Sequence, residues 1–234
     1  MKLIRGLHNL HPEHRGSALT IGNFDGLHLG HRAVLEQLRQ HASERQLLTT
    51  VMTFEPTPQE YFAPQLAPPR LQRLRDKLVE LRKLDVDQVL CLRFNHKLAE
   101  LSATDFVQRI LVRGLDVRYL VVGDDFRFGH DRKGDFDFLR AAGQEAGFEV
   151  VNTCTFDDGG ERVSSTRIRQ ALAAGDLEGT RRMLGRPYHV CGRVAPGQQR
   201  GRTIGFHTAN IHLHRTVSPV KGVFAVRVSG IGDK

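Results

Sequence analysis

The chain has 234 residues, 40% of them hydrophobic and 26% charged, with a net charge of +8. That balance excludes a disordered tail and fits one large domain, or one domain with part of a second. No apolar run reaches the ~20 residues needed to cross a bilayer. Met1 to His8 holds no signal-peptide core, and Cys91, Cys154 and Cys191 make no Cys-x-x-Cys pair. We therefore expect a cytoplasmic protein with no zinc, no membrane contact and no obligatory protein partner. The charge is uneven, because residues 186–234 hold eight Lys/Arg and one acid. A basic tail suits nucleic acid or a phosphorylated small molecule. With one tyrosine, two phenylalanines and no basic run in the tail, nucleic acid is the weaker reading.

In chain order, Ala18 to Ile21 reads as a short strand that breaks at Gly22, Gly26 and Gly30. A helical pattern restarts with Ala33, Val34, Leu38 and Ala42. A strand, a glycine turn and a helix N-terminus make an anion site, since free N–H groups and the positive end of the helix dipole point outward there. His28 and His31 lie at this junction, where imidazoles can follow charge developing on phosphate oxygens.

Leu47 to Phe54 is a buried strand, ended by Glu55-Pro-Thr-Pro58. A proline-rich loop is expected up to Pro69, at the sheet edge where ligand contacts gather. Leu71, Leu74, Leu78, Leu81 and Leu84 predict a core-packing helix, with Arg73, Asp76, Lys77, Glu80 and Lys83 read as its solvated face. Then follow a strand at Val86–Leu92, a helix at Ala103–Val112 capped by Ser102 or Thr104, and a strand at Val117–Val122. That last strand runs into Gly123-Asp-Asp-Phe-Arg-Phe-Gly129. A helix near Asp135–Ala146 and a strand at Phe148–Thr153 complete about five strand–helix alternations, which predict a doubly wound parallel sheet. Short helices at Ser165–Ala174 and Asp176–Leu184 flank Gly175.

From Gly185 onward the texture changes to glycines and short apolar alternations, with Val223–Val228 the clearest strand. We expect a first domain over 1–185 and an all-β domain over 186–234. At about 49 residues the latter is too short to bury a good core unaided, and the chain is expected to stop inside it.

Four strings carry resemblance beyond these patterns. Gly22-Asn-Phe-Asp-Gly-Leu-His-Leu-Gly-His31 resembles the signature of the nucleotidylyltransferase superfamily, and closely that of the bacterial bifunctional riboflavin kinase/FAD synthetase family. Val163-Ser-Ser-Thr-Arg-Ile-Arg169, a hydroxyl-capped helix start with two arginines, is similar to that family's phosphate-gripping motif. Gly123 to Gly129 is similar to its Gly-x-Asp-Phe-Arg-Phe-Gly motif beside adenosine. The resemblance implies a Rossmann-like fold followed by the start of a small riboflavin kinase-like barrel.

It also implies transfer of AMP from ATP to FMN, giving FAD and pyrophosphate, with magnesium accompanying ATP. His28, His31, Arg167 and Arg169 would be catalytic. Gly22, Asn23, Phe24, Asp25, Gly30, Gly123, Asp125, Ser164, Ser165 and Thr166 would bind ATP. Phe54, Pro56, Pro58, Phe62, Phe126 and Phe128 would border the flavin. Gly201-Arg-Thr-Ile-Gly-Phe-His-Thr-Ala-Asn210 resembles the kinase barrel, with Gly201, Arg202, Thr208 and Asn210 as its ATP contacts. Thr208 and Asn210 would hold magnesium there, and His207 replaces the usual proline. A longer parent would also phosphorylate riboflavin; this chain is expected not to. The alternatives are a nucleotidylyltransferase acting on another phosphorylated acceptor, such as a pantetheine or polyol phosphate, and a basic nucleic-acid-binding module.

Overall fold

The computed structural model describes residues 1–123, 125–153, 157–158, 160–195, 197, 205, 208–213 and 217–230. Six parallel strands form the central sheet: β1 (Lys2–Arg5), β2 (Ser17–Ile21), β3 (Leu48–Glu55), β4 (Gln88–Arg93), β5 (Tyr119–Val122) and β6 (Glu149–Asn152). Their spatial order is β1-β4-β3-β2-β5-β6. The winding reverses between β2 and β5, so the crevice beyond their C-terminal ends is where a doubly wound sheet takes its ligand. The strand at Lys2–Arg5 was not expected; it pairs with β4 from Lys2↔Gln88 to Arg5↔Cys91 and extends the sheet at one edge.

Side chains alternate across the sheet, as a period of two requires. Leu19, Ile21, Met52, Leu90, Leu120 and Val122 enter one core. That core is closed by α5 (Ala103–Phe106), its π-helical continuation Val107–Val112, and α6 (Phe136–Ala146). Ala18, Val51, Val89, Tyr119 and Val121 face the other side. There they meet α1 (Leu29–Glu44) and α3 (Leu74–Lys83) through Leu35, Leu38 and Leu81. Ser102 and Asp135 cap α5 and α6 by accepting from Asp105 N and Phe138 N.

Two expectations need correction. The proline loop contains a short helix, α2 (Pro58–Phe62), because Pro58 occupies the first helical position and Thr57 and Glu60 close a capping box. On α3 the charges expected to be solvated are partly inside: Asp76, Lys77 and Glu80 are buried. After α4 (His96–Ala99) and the β7/β8 pair (Asp157–Asp158 with Glu161–Arg162), helices α7 (Ser165–Ala173) and α8 (Leu177–Leu184) pack through Ile168, Leu172, Met183 and Leu184.

Beyond them β9 (Arg193–Ala195) and β10 (Asn210–His212) form an antiparallel pair. The strand expected at Val223–Val228 does not form. Residues 223–228 pair with no neighbour among the described residues, and Val223, Val226 and Val228 are exposed. A strand exists only where a partner takes its N–H and C=O groups, and hydrophobic alternation alone supplies none.

Candidate active site

The turn after β2 is strained and pinned. Phe24 and Leu27, neither of them glycine, hold φ of 47° and 42°, and Gly26 holds 87°. Such conformations persist only where the surroundings over-determine them. Here three carbonyls of the turn are each taken by a distant side chain. Lys77 Nζ donates to Asn23 O at 2.5 Å, Ser165 Oγ to Asp25 O at 2.8 Å, and Arg186 Nη2 to Gly26 O at 2.8 Å. With its carbonyls committed, the turn leads into α1 presenting N–H groups, as an anion requires.

His28 is the N-cap of α1, and its Nδ1 accepts from His31 N at 3.3 Å. The two imidazoles stack with centroids 3.6 Å apart, and Phe24 packs on His31 at 5.1 Å. Burial, then the charges of Arg162 and Arg169, push the His28 pKa down to about 4. Burial, with His28 and Lys77 nearby, holds His31 well below the usual histidine range. Both rings are therefore neutral at pH 7. With Nδ1 accepting, the proton of neutral His28 sits on Nε2, which makes that atom a donor. A Cβ on Gly30 would lie 3.1 Å from His28 Nδ1 and 3.4 Å from Val163 O, so glycine lets the segment before α7 cross the start of α1.

That crossing brings a second helix N-terminus to the first. Ser164 caps α7 by accepting from Arg167 N, and Ser165 is bonded to the turn itself. Of the two arginines, Arg169 turns inward, with Nη2 on Asp25 Oδ2 and Nε on Pro69 O at 2.7 Å. Arg167 instead bonds the carbonyls of Glu161 and Arg162 and pairs with the Glu161 carboxylate. Thr166 is exposed. Asp25, expected as a nucleotide contact, has its carboxylate committed to Leu71 N, Gln72 N and Arg169. Its geometry is that of a clamp.

A cavity of about 790 Å³ opens beside the turn. Gly22 and Asn23 line one side, Gly123 and Asp125 another, and Phe54, Pro58, Phe62, Phe126 and Phe128 the apolar wall. Phe94, absent from the sequence reading, lines it too and meets Phe54 and Phe62 edge-on at 5.8 and 5.6 Å. Pro56 is not part of the lining. Asp125 is exposed and paired with Arg162 at 3.3 Å, and a Cβ on Gly123 would strike its carboxylate.

No group of three or more His, Cys, Asp or Glu arranged to hold a metal ion occurs among the described residues. With Asp25 committed, the junction offers N–H, imidazole and guanidinium groups. That donor set suits phosphate oxygens and not a resident cation. Thr208 and Asn210 are exposed, at and just before β10, apart from the junction's strands. Gly201, Arg202 and His207 lie outside the described residues. Lys77, Arg70 and Arg186 are the site-supporting groups the sequence reading missed. Their partners are backbone carbonyls and carboxylates remote in sequence, which no local pattern signals.

Residues 10–167 match the FAD synthetase family and residues 184–234 the riboflavin kinase family. The bifunctional riboflavin kinase/FMN adenylyltransferase of Escherichia coli (strain K12) is 54% identical over 235 residues, covering 100% of this chain and 75% of the relative. Its counterpart from Pseudomonas fluorescens is 52% identical over 228 residues, covering 97% and 73%. A crystal structure from Streptococcus pneumoniae, named a macrolide-efflux protein, matches with a TM-score of 0.75 at 27% identity, over 92% of this chain and 70% of that one. No described helix is long and apolar enough to cross a membrane.

Proposed function

The chain belongs to the bifunctional riboflavin kinase/FMN adenylyltransferase family, and from that premise we propose which of its residues transfer AMP from ATP to FMN. ATP, FMN and riboflavin are the ligands the family implies. An FMN phosphate oxygen attacks the α-phosphorus of ATP in line. The α–β phosphoanhydride bond breaks, and pyrophosphate leaves as FAD forms. No protein nucleophile is needed; position and electrostatics carry the reaction.

The observation that carries the assignment is the meeting of two helix N-termini around the stacked, neutral His28 and His31. His28 Nε2–H donates to the α-phosphate as charge builds on it, and His31 supports the ring by stacking. The start of α7, with Ser164, Ser165 and Thr166, receives the leaving phosphates beside Arg169. Arg167 joins them on exchanging its Glu161 partner for phosphate. Magnesium travels with ATP as the counter-ion of its phosphates. The aromatic cavity takes the isoalloxazine, with Phe62, Phe94 and Phe126 as apolar surfaces. In the second matched segment, Thr208 and Asn210 are the proposed phosphate and magnesium contacts of the kinase half, and the boundary falls near residue 186.

The test is incubation with ATP, magnesium and FMN, with flavins separated by chromatography and a parallel tube holding riboflavin. FAD from FMN is expected. A folded sample that converts no FMN overturns the reading.

A further inference from the structure

Residues 69–72 belong to none of the motifs above, yet they join three parts of the site. Pro69 O accepts from Arg169, and Leu71 N and Gln72 N donate to Asp25. Tyr188 Oη donates to Leu71 O at 3.3 Å. Between these contacts Arg70 reaches the other way. Its Nη1 and Nη2 lie 3.1 and 2.5 Å from the two Glu55 oxygens, and its Nε and Nη2 each lie 2.5 Å from a Glu60 oxygen. Glu55 ends β3, while Glu60 sits in α2 and also accepts from Thr57 N at 2.8 Å. One guanidinium therefore fastens a five-residue helix to the end of a core strand. A helix that short does not hold its place unaided. Yet Pro58, Gln59 and Phe62 of α2 line the cavity.

We propose that Arg70 is a positioning residue for the flavin acceptor. It sets α2, as a wall of the aromatic cavity, at a fixed place relative to the Asp25–Arg169 clamp, so that the acceptor phosphate arrives in line with the α-phosphorus. The inference rests on the FMN adenylyltransfer reading above. Two carboxylates converge on one cation in a half-buried place, with side chains 24% (Arg70), 34% (Glu55) and 24% (Glu60) exposed. The planar fork meets both at once, which a lysine point charge does not. Without the fork the two carboxylates face each other and α2 is released from β3. The nucleotide end, held by Asp25 through main-chain N–H groups, keeps its place.

The test is steady-state FAD synthesis by the full chain carrying Arg70→Met, Arg70→Lys or Glu60→Gln. FMN is varied at saturating ATP, and ATP at saturating FMN. We expect Arg70→Met to raise the FMN KM roughly tenfold while the ATP KM stays within about twofold. Arg70→Lys should recover part of the loss. Glu60→Gln, which keeps the Arg70–Glu55 pair, should shift the FMN KM in the same direction by less, and it carries the test if Arg70→Met does not fold. A merely structural role would lower the active fraction, and so kcat, with both KM values unmoved; that result overturns the proposal, as does an equal rise in both KM values. Wild-type protein that makes no FAD overturns instead the reading on which the proposal stands.

Discussion

Arg169 Nη2 lies 2.6 Å from Asp25 Oδ2, joining the glycine turn to a helix 144 residues later in the chain. The pair is largely buried, and Asp25 also takes two main-chain N–H groups. Asp25→Ala would leave a buried guanidinium and two amide donors without their acceptor. The expected loss is about 3–5 kcal/mol of stability, read as a lower urea midpoint with an unchanged slope. A midpoint equal to the wild type's would mean that water replaces the carboxylate and that the clamp is dispensable.

His28→Ala removes the proposed donor to the α-phosphate, and His31→Ala removes its stacking partner. Deleting one preorganised transition-state donor typically costs ~3 kcal/mol, so turnover of His28→Ala should fall roughly a hundredfold. His31→Ala should fall by less, yet clearly. Initial rates of FAD formation at saturating ATP and FMN decide it. Full turnover in His28→Ala would remove the imidazole from the mechanism.

The same histidine makes stability depend on pH. Folded His28 titrates at about 4 against an ordinary 6.5, chiefly through burial. The unfolded chain therefore binds the proton first as pH falls. The contribution is complete above pH 6.5, erodes from there towards pH 4, and is flat below. A shift of that size is worth about 3 kcal/mol, and His31 acts in the same direction. Thermal midpoints between pH 4 and 7 should fall steeply for the wild type and less steeply for His28→Gln. Parallel curves would show that other groups govern the acid limb.

Gly30 offers a test of geometry separate from chemistry. An added Cβ presses on His28 Nδ1 and Val163 O, while alanine within a helix gains up to about 1 kcal/mol over glycine. Gly30→Ala should therefore stay folded, with stability within about 1 kcal/mol of the wild type. Its turnover should drop roughly tenfold as the imidazole shifts by a few tenths of an ångström. Unimpaired kinetics would mean that the neighbours yield without moving His28.

The parts legible in the sequence are those with local signals. The β2–turn–α1 junction and the hydroxyl-capped start of α7 each fit within ten residues of sequence, and both are found as expected. The capping box Thr57-x-x-Glu60 was equally local, but the prolines around it read as a loop. The rest is non-local. Leucine spacing set the core face of α3 but not that Lys77 and Glu80 also face inward, because their partners are the Asn23 carbonyl and Arg186. From the sequence alone Asp25 reads as a ligand contact, since the donors its carboxylate holds, the amides of Leu71 and Gln72, lie 46 and 47 residues away. The four-residue β1 carries only Leu3 and Ile4 as apolar residues, too short a run to show a period. Residues 223–228 show the converse: alternation without a pairing neighbour among the described residues.

Arg186 follows α8 by two residues and falls within the segment matching riboflavin kinase, yet its guanidinium serves the transferase turn. It also lies 3.4 Å from Glu80, a buried carboxylate whose other cations, Lys83 and Arg32, stand 2.9 and 4.0 Å away on more open ground. Where two modules share a buried cation in this way, a cut at the seam is not silent. Severing the chain after Gly185 would loosen the Gly26 corner and leave Glu80 under-neutralised, although every residue matching FAD synthetase would remain. The two matched segments are separable on paper, yet Arg186 ties them in energy, with Tyr188 Oη on Leu71 O as a second link.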